Sequence, residues 1–204
     1  MNKYTLIRWG GLSALVASVI SILIEIVLMI TIGSQAYSTA ALTNEWSLLY
    51  TFRLIAVMLL MLGLIALFAR QSQKMRAFGV IAFVIASIGT MLIFGFAWAL
   101  LFVFPGMAAA VPVFLDTMAS EPGIGIAITL FLVTVGWFLF GLASLRAKIL
   151  PAGSAWVVMA GAFLALVLNM MQIPFSWVIF DIGVIWMGWW LWSERAQSTE
   201  LPIS

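Results

Sequence analysis

Long uninterrupted apolar runs, each about the length a helix needs to cross a hydrocarbon core, govern what this chain can fold into. A crossing takes about 20 predominantly apolar residues. Six stretches qualify: Trp9 to Ile32, Ser47 to Ala69, Ala77 to Phe104, Gly123 to Leu145, Ala155 to Met171, and Pro174 to Trp192. Backbone N–H and C=O groups in hydrocarbon must be satisfied within their own segment, so each stretch reads as a helix. Composition points the same way. Hydrophobic residues make up 65% of the chain and charged residues 8%, against roughly 45–50% and about 25% in soluble domains. The expectation is an all-α protein: one domain over residues 1–204, built as an integral membrane bundle of six transmembrane helices.

The last two stretches are separated by chain length and by proline. A single helix from Ala155 to Trp192 would be about 57 Å long, too much for one crossing. The break is expected at Asn169–Pro174, because proline favours a first helical turn and disfavours a helix interior. The first stretch begins with Lys3 and Arg8, as a secretory leader would. Its apolar run is longer than a leader's and contains Glu25, so a retained helix is expected.

Basic residues collect in cytoplasmic loops. With the N-terminus inside, Lys3, Arg8, Arg70, Lys74, Arg76, Arg146, Lys148 and Arg195 all fall on that side, eight of the nine basic residues. Glu45, Asp116 and Glu121 fall outside. Both termini are therefore expected in the cytoplasm. Trp9, Trp186, Trp189, Trp190 and Trp192 at inner ends, and Trp46 at an outer one, read as an aromatic belt. In the longest loop, Pro105 to Pro122, the apolar residues Val111, Phe114, Leu115 and Met118 recur at helical spacing. They predict a short helix on the outer surface, shielded along its Phe114/Leu115 face.

A shift of 78 residues lays the second and third stretches on the fourth and fifth, matching Thr51 with Thr129, Gly63-Leu64 with Gly141-Leu142, and Ala82 with Ala160. The two hairpins would share one orientation, a parallel repeat of a helical hairpin. Helices in lipid associate through small residues. Gly10, Ala14, Ser18 and Ser21 form such a stripe ending at Glu25, and Gly161 and Ala165 form one ending at Asn169.

The chain has no histidine and no cysteine. Zinc, haem held by histidine, iron–sulfur clusters, thiol redox chemistry and histidine-based triads therefore lack their ligands or bases. No cofactor and no metal site are expected. No basic patch lies on a soluble domain, so no nucleic-acid partner is expected. The chemistry left in the apolar stretches is ionic: Glu25, Arg53 and Asp181, each about four to seven residues from an outer helix end. Asn169 and Gln172 lie above them. A charge at a helix centre costs about 2.5–3.5 kcal/mol on insertion scales, so pairing is expected, with Arg53 reaching Glu25 and Asp181 directly or through water. Two carboxyls against one guanidinium leave one negative charge for a proton or a cation. This cluster reads either as a clamp between helices or as a site for a cation, proton or polar headgroup.

The segment Gly141-Leu-Ala-Ser-Leu-Arg-Ala-Lys-Ile-Leu-Pro151, followed by a Gly/Ala-rich helix, resembles a segment of uncharacterised bacterial six-span membrane proteins of unknown function. Their basic or aromatic residue after the proline is replaced here by Ala152-Gly153. The resemblance implies a multi-pass protein of the bacterial cytoplasmic membrane and transfers no activity. The functional expectation is a non-catalytic accessory, assembly or ligand-holding subunit. Its partners would be the lipid bilayer and other membrane subunits or a small apolar ligand. The alternative is a small secondary transporter for a proton, cation or apolar solute, using the Glu25, Arg53 and Asp181 cluster. An intramembrane enzyme with Asp181 and Glu25 as acid and base is third, weakened by the missing histidine.

Overall fold

A computed structural model describes residues 3–33, 35–120, 123–171, 173 and 175–193. Those residues fold into eight helices and no strand: α1 (Lys3–Thr31), α2 (Tyr37–Ala40), α3 (Asn44–Phe102), α4 (Phe104–Ala110), α5 (Pro112–Ser120), α6 (Ile124–Ala147), α7 (Ala152–Met170) and α8 (Val178–Ser193). Four of them, α1, α3, α6 and α7, are long and apolar enough to cross a membrane, and α8 is a shorter apolar helix.

The 59-residue α3 is a hairpin. Arg76 has φ 49° and ψ −166°, outside helical geometry. It sits in the polar run Gln71–Arg76, which separates an arm over residues 44–75 from an arm over residues 77–102. Phe68 stacks on Phe83 with centroids 4.2 Å apart, whereas a continuous helix would hold them about 22 Å apart. At the far end the Trp46 Nε1–H donates to the Leu100 carbonyl at 2.7 Å, tying the mouth of the hairpin shut. Thr43 starts the first arm by accepting from the Trp46 backbone N–H at 3.2 Å, an N-cap.

The long segments close into a ring. The α1 helix packs on the first arm of α3, the second arm on α6, then α6 on α7, α7 on α8, and α8 back on α1. Neighbours run antiparallel, and small residues set their spacing. Gly63 approaches Ala14, Gly11 approaches Leu191 and Gly188, and Gly183 approaches Val158. Gly136 is the clearest requirement: a Cβ there would lie 2.5 Å from the Ala86 Cα and N. Close backbone approach is how helices gain contact where lipid supplies no hydrophobic drive. The outward faces are apolar, with Leu62, Ile81, Met91, Phe131, Phe163 and Trp189 all exposed. A surface of this kind is stable against lipid tails and not against water. This is the architecture of a multi-pass membrane protein.

Two core clusters result. The larger runs down the ring through Leu64, Leu67, Trp137, Phe140, Val158, Val184 and Met187. The smaller gathers Ala40, Trp46, Tyr50, Leu100, Ala108 and Leu115 beneath a cap of α2, α4 and α5. Asp116 fastens that cap. Its two carboxylate oxygens accept from the Ser38 N–H and the Ser38 hydroxyl, both at 2.8 Å.

Three local expectations need correction. The expected short helix is present as α5, and α4 precedes it as a separate helix, because Val111, next to a proline, leaves helical geometry with φ −142° and ψ 60°. Within α5 the Phe114/Leu115 face is not shielded as a whole: Leu115 is fully buried, and Phe114 is exposed together with Val111. Trp46 is no surface anchor, being 1% exposed. The last helix starts at Val178, because Phe175 takes a left-handed φ of 62° that no helix continues through; Pro174, where the run was expected to begin, lies outside the described residues.

The Gly136 contact yields a direct test. Gly136→Ala should lower the thermal stability of the purified protein by about 1–3 kcal/mol, the usual cost of overpacking. Gly125→Ala, where a Cβ meets nothing within 4 Å, should leave it unchanged. The two melting curves in one detergent check this.

Candidate functional site

Glu25 and Arg53 meet because α1 and the first arm of α3 are held together by the small-residue stripe. Ala14 and Ser18 on that stripe are buried, and the next turns carry Ser21 and Glu25 toward α3. The Arg53 Nη2 lies 3.2 Å from the Glu25 Oε1, and the Nη1 donates to the Ser21 hydroxyl at 3.1 Å. The side chains keep 20% and 14% of their surface, so the pair is largely but not wholly desolvated. Charge-assisted donation of this kind is the strong form of hydrogen bond.

Asp181 is placed differently. It sits in the first turn of α8 and is 3% exposed. Among the described residues its Oδ2 has no hydrogen-bond partner, and neither has the buried Ser18 hydroxyl. Arg53 and Glu25 act on it through their charges, and Ser18 is its neighbouring hydroxyl. Arg53 is committed to Glu25 and Ser21, so the guanidinium faces Asp181 across a space rather than closing on it.

That space is a cavity of about 60 Å³ between α1, α3, α6 and α8, bordered by Ser21, Arg53, Thr90, Trp137, Trp177 and Asp181 among others. It is large enough for more than one water. Its polar edge is partly satisfied already. The Trp137 Nε1–H donates to the Thr90 hydroxyl at 3.1 Å, and that hydroxyl donates to the Ala86 carbonyl at 2.8 Å. Its aromatic edge is rigid. Phe180 meets Trp137 edge-on at 5.0 Å and Trp177 at 5.6 Å. One carboxyl, one guanidinium, two hydroxyls and three aromatic rings can bind and orient a small polar or cationic body. They do not supply a nucleophile with an adjacent base.

The other expected members lie elsewhere. Asn169 donates to the Ser176 hydroxyl at 2.8 Å, bridging the end of α7 to the turn before α8. It does not border the cavity. Gln172 falls outside the described residues. Trp137, Trp177, Thr90 and Ser18 were missed by reasoning from charge alone. Trp137 carried a signal: it lies deep inside its apolar stretch, where a headgroup belt cannot explain a tryptophan.

At the opposite end the tryptophans hold basic side chains. Arg8 lies 4.7 Å from the Trp192 ring centre and donates to the Trp192 carbonyl at 3.3 Å, and Arg70 sits 6.0 Å from the Trp190 ring. Arg146 covers Phe78 at 4.6 Å. Cation–π contact therefore complements any belt role of these rings. Comparison of the chain with protein-family models, with curated proteins and with solved structures finds no match.

The unequal partnering of the three charges predicts an unequal response to mutation. Arg53→Ala strands the Glu25 carboxylate and should cost about 2–4 kcal/mol, somewhat below the fully buried case because the pair keeps some exposure. Glu25→Gln should cost less, since a neutral amide can still accept from Arg53. Asp181→Asn should be within about 1 kcal/mol of wild type in either direction, because it removes an oxygen that has no partner. Thermal unfolding in a single detergent gives the ranking.

Proposed function

We propose that the protein is a non-catalytic subunit of a bacterial cytoplasmic membrane, crossing it six times with both termini in the cytoplasm, and that its role is to hold a ligand. The cavity at Asp181 carries this reading. A bundle kept only as a scaffold gains nothing from a buried carboxyl oxygen without a partner, which costs stability. Such features are retained where something binds. The six crossings rest on the two arms of α3 counted apart and on α8 as a short final crossing. The orientation rests on Arg8, Arg70, Arg76, Arg146 and Lys148, which gather at one end of the ring, with Asp116 at the other. The hairpin repeat belongs to the same proposal, with Gly63 and Gly141 both buried at helix contacts.

A second reading, a small secondary transporter, draws on the same charges. A carboxyl that faces an engaged guanidinium across a cavity is an arrangement that can load and release a cation or proton. Flux into liposomes separates carriage from holding. Mass spectrometry of protein purified in mild detergent should find a small molecule or lipid retained by wild type, and no such species would count against a ligand-holding role.

Topology has its own check. The chain has no cysteine, so single cysteines at Thr39, Thr117, Lys74 and Lys148 can be labelled cleanly in intact cells by an impermeant thiol reagent. The first two should label and the last two should not. The reverse pattern would overturn the orientation.

A further inference from the structure

We propose that the Asp181 cavity is a binding site for a small organic ammonium ion, with the carboxylate as counter-ion and the rings of Trp137, Trp177 and Phe180 as its walls. This rests on the ligand-holding reading and names the ligand's class.

The argument starts from charge. Glu25 and Arg53 neutralise each other at 3.2 Å, and Arg53 spends a further donor on Ser21. Asp181 is left as an acceptor whose Oδ2 meets no donor, at 3% exposure. Among the described residues, the elements packed against α8 bring one cation near it, the engaged Arg53. From α1 come Glu25 and Ser18, from α3 comes Arg53, and α7 carries no titratable residue between Ala152 and Met170. The only charged residue of α6 is Arg146, in its last turn near the far end of the bundle. A proton or one bound cation would balance Asp181, and the cavity beside it has room for the cation.

The walls select the kind of cation. Hard metal ions take about six oxygen ligands. The cavity's edge offers Asp181, Ser21 and Thr90, and both hydroxyls are already engaged, Ser21 by Arg53 and Thr90 by Trp137 and Ala86. The remaining surface is apolar and aromatic: Val57, Leu60, Ile93, Val133, Trp137, Trp177 and Phe180. A ring-lined pocket with one carboxylate is the chemistry that recognises alkylated ammonium ions, which carry their charge on a weakly hydrated apolar body. The volume of about 60 Å³ suits a body of a few heavy atoms and no larger ligand.

The experiment is calorimetric titration of the detergent-purified full chain with methylammonium, with sodium, and with methanol, a neutral body of similar size. Methylammonium should saturate one site and bind about tenfold or more tightly than methanol, the ratio a desolvated cation–π and carboxylate contact supplies. Asp181→Asn should lose that advantage while melting as a folded protein. The comparison of the charged and neutral probes on wild type stands without the variant. Equal binding of the two probes, or tighter binding of sodium, would overturn the ammonium assignment and leave ligand holding intact. Failure of the folded wild type to bind any of the three would also overturn the ammonium assignment, while ligand holding as such falls only if mass spectrometry finds no retained species.

Discussion

Hydrocarbon offers no hydrogen-bond partner, so each polar atom carried into this bundle has to be met by another atom of the protein. The contact between Glu25 and Arg53 is where that demand is heaviest. Each charge alone would be expelled toward the headgroups or neutralised. Together, with Ser21 completing the Arg53 fork, they can stay between α1 and the first arm of α3. The close seam of Ala14 against Gly63 makes their meeting possible, since bulkier residues would push the two helices beyond reach. Packing and electrostatics are thus one device: the small residues set the distance, and the ion pair depends on it.

The two ends of the ring are secured by different chemistry. At the basic end, Arg8, Arg70 and Arg146 lie over aromatic rings, which keeps their charge near water while their stems cover apolar surface. At the acidic end, Asp116 holds Ser38 with two hydrogen bonds, and Trp46 closes the α3 hairpin from within. With both ends pinned and the middle packed by Leu64, Trp137, Val158 and Met187, the cavity at Asp181 stands out. Among the buried atoms of the described residues without a hydrogen-bond partner, which include the Ser87, Thr134 and Ser144 hydroxyls, the Asp181 Oδ2 is the one that belongs to a carboxyl.

The apolar runs told where the helices lie to within a few residues, because a requirement of about 20 apolar residues leaves little choice. The polar run before Arg76 and the break after Asn169 were legible for the same reason. Counting residues from helix ends placed the three charges at one depth, and this was less exact. Arg53 lies nine residues into α3 and Asp181 three residues into α8, since the cap lengthens one helix and Phe175 shortens the other. The direction of each side chain was harder still. Asp181 carries the same formal charge as Glu25, yet its neighbours leave it unpartnered, and no pattern within α8 alone could say so. Phe114 was assigned to a buried face by a periodicity that fits α5, but that helix seats only Leu115 against the bundle. Trp137 was hidden among many apolar residues, although its depth set it apart.

The central claim is that Glu25 and Arg53 hold each other inside the bundle, and a double-mutant cycle tests it most directly. Thermal unfolding of wild type, Glu25→Gln, Arg53→Ala and the double mutant, all in one detergent, isolates the pairwise term. The double mutant should recover part of the loss caused by Arg53→Ala, giving a coupling energy of about 1–3 kcal/mol. Strictly additive losses would mean that the two side chains do not stabilise one another, and the account of the site built on their contact would fail.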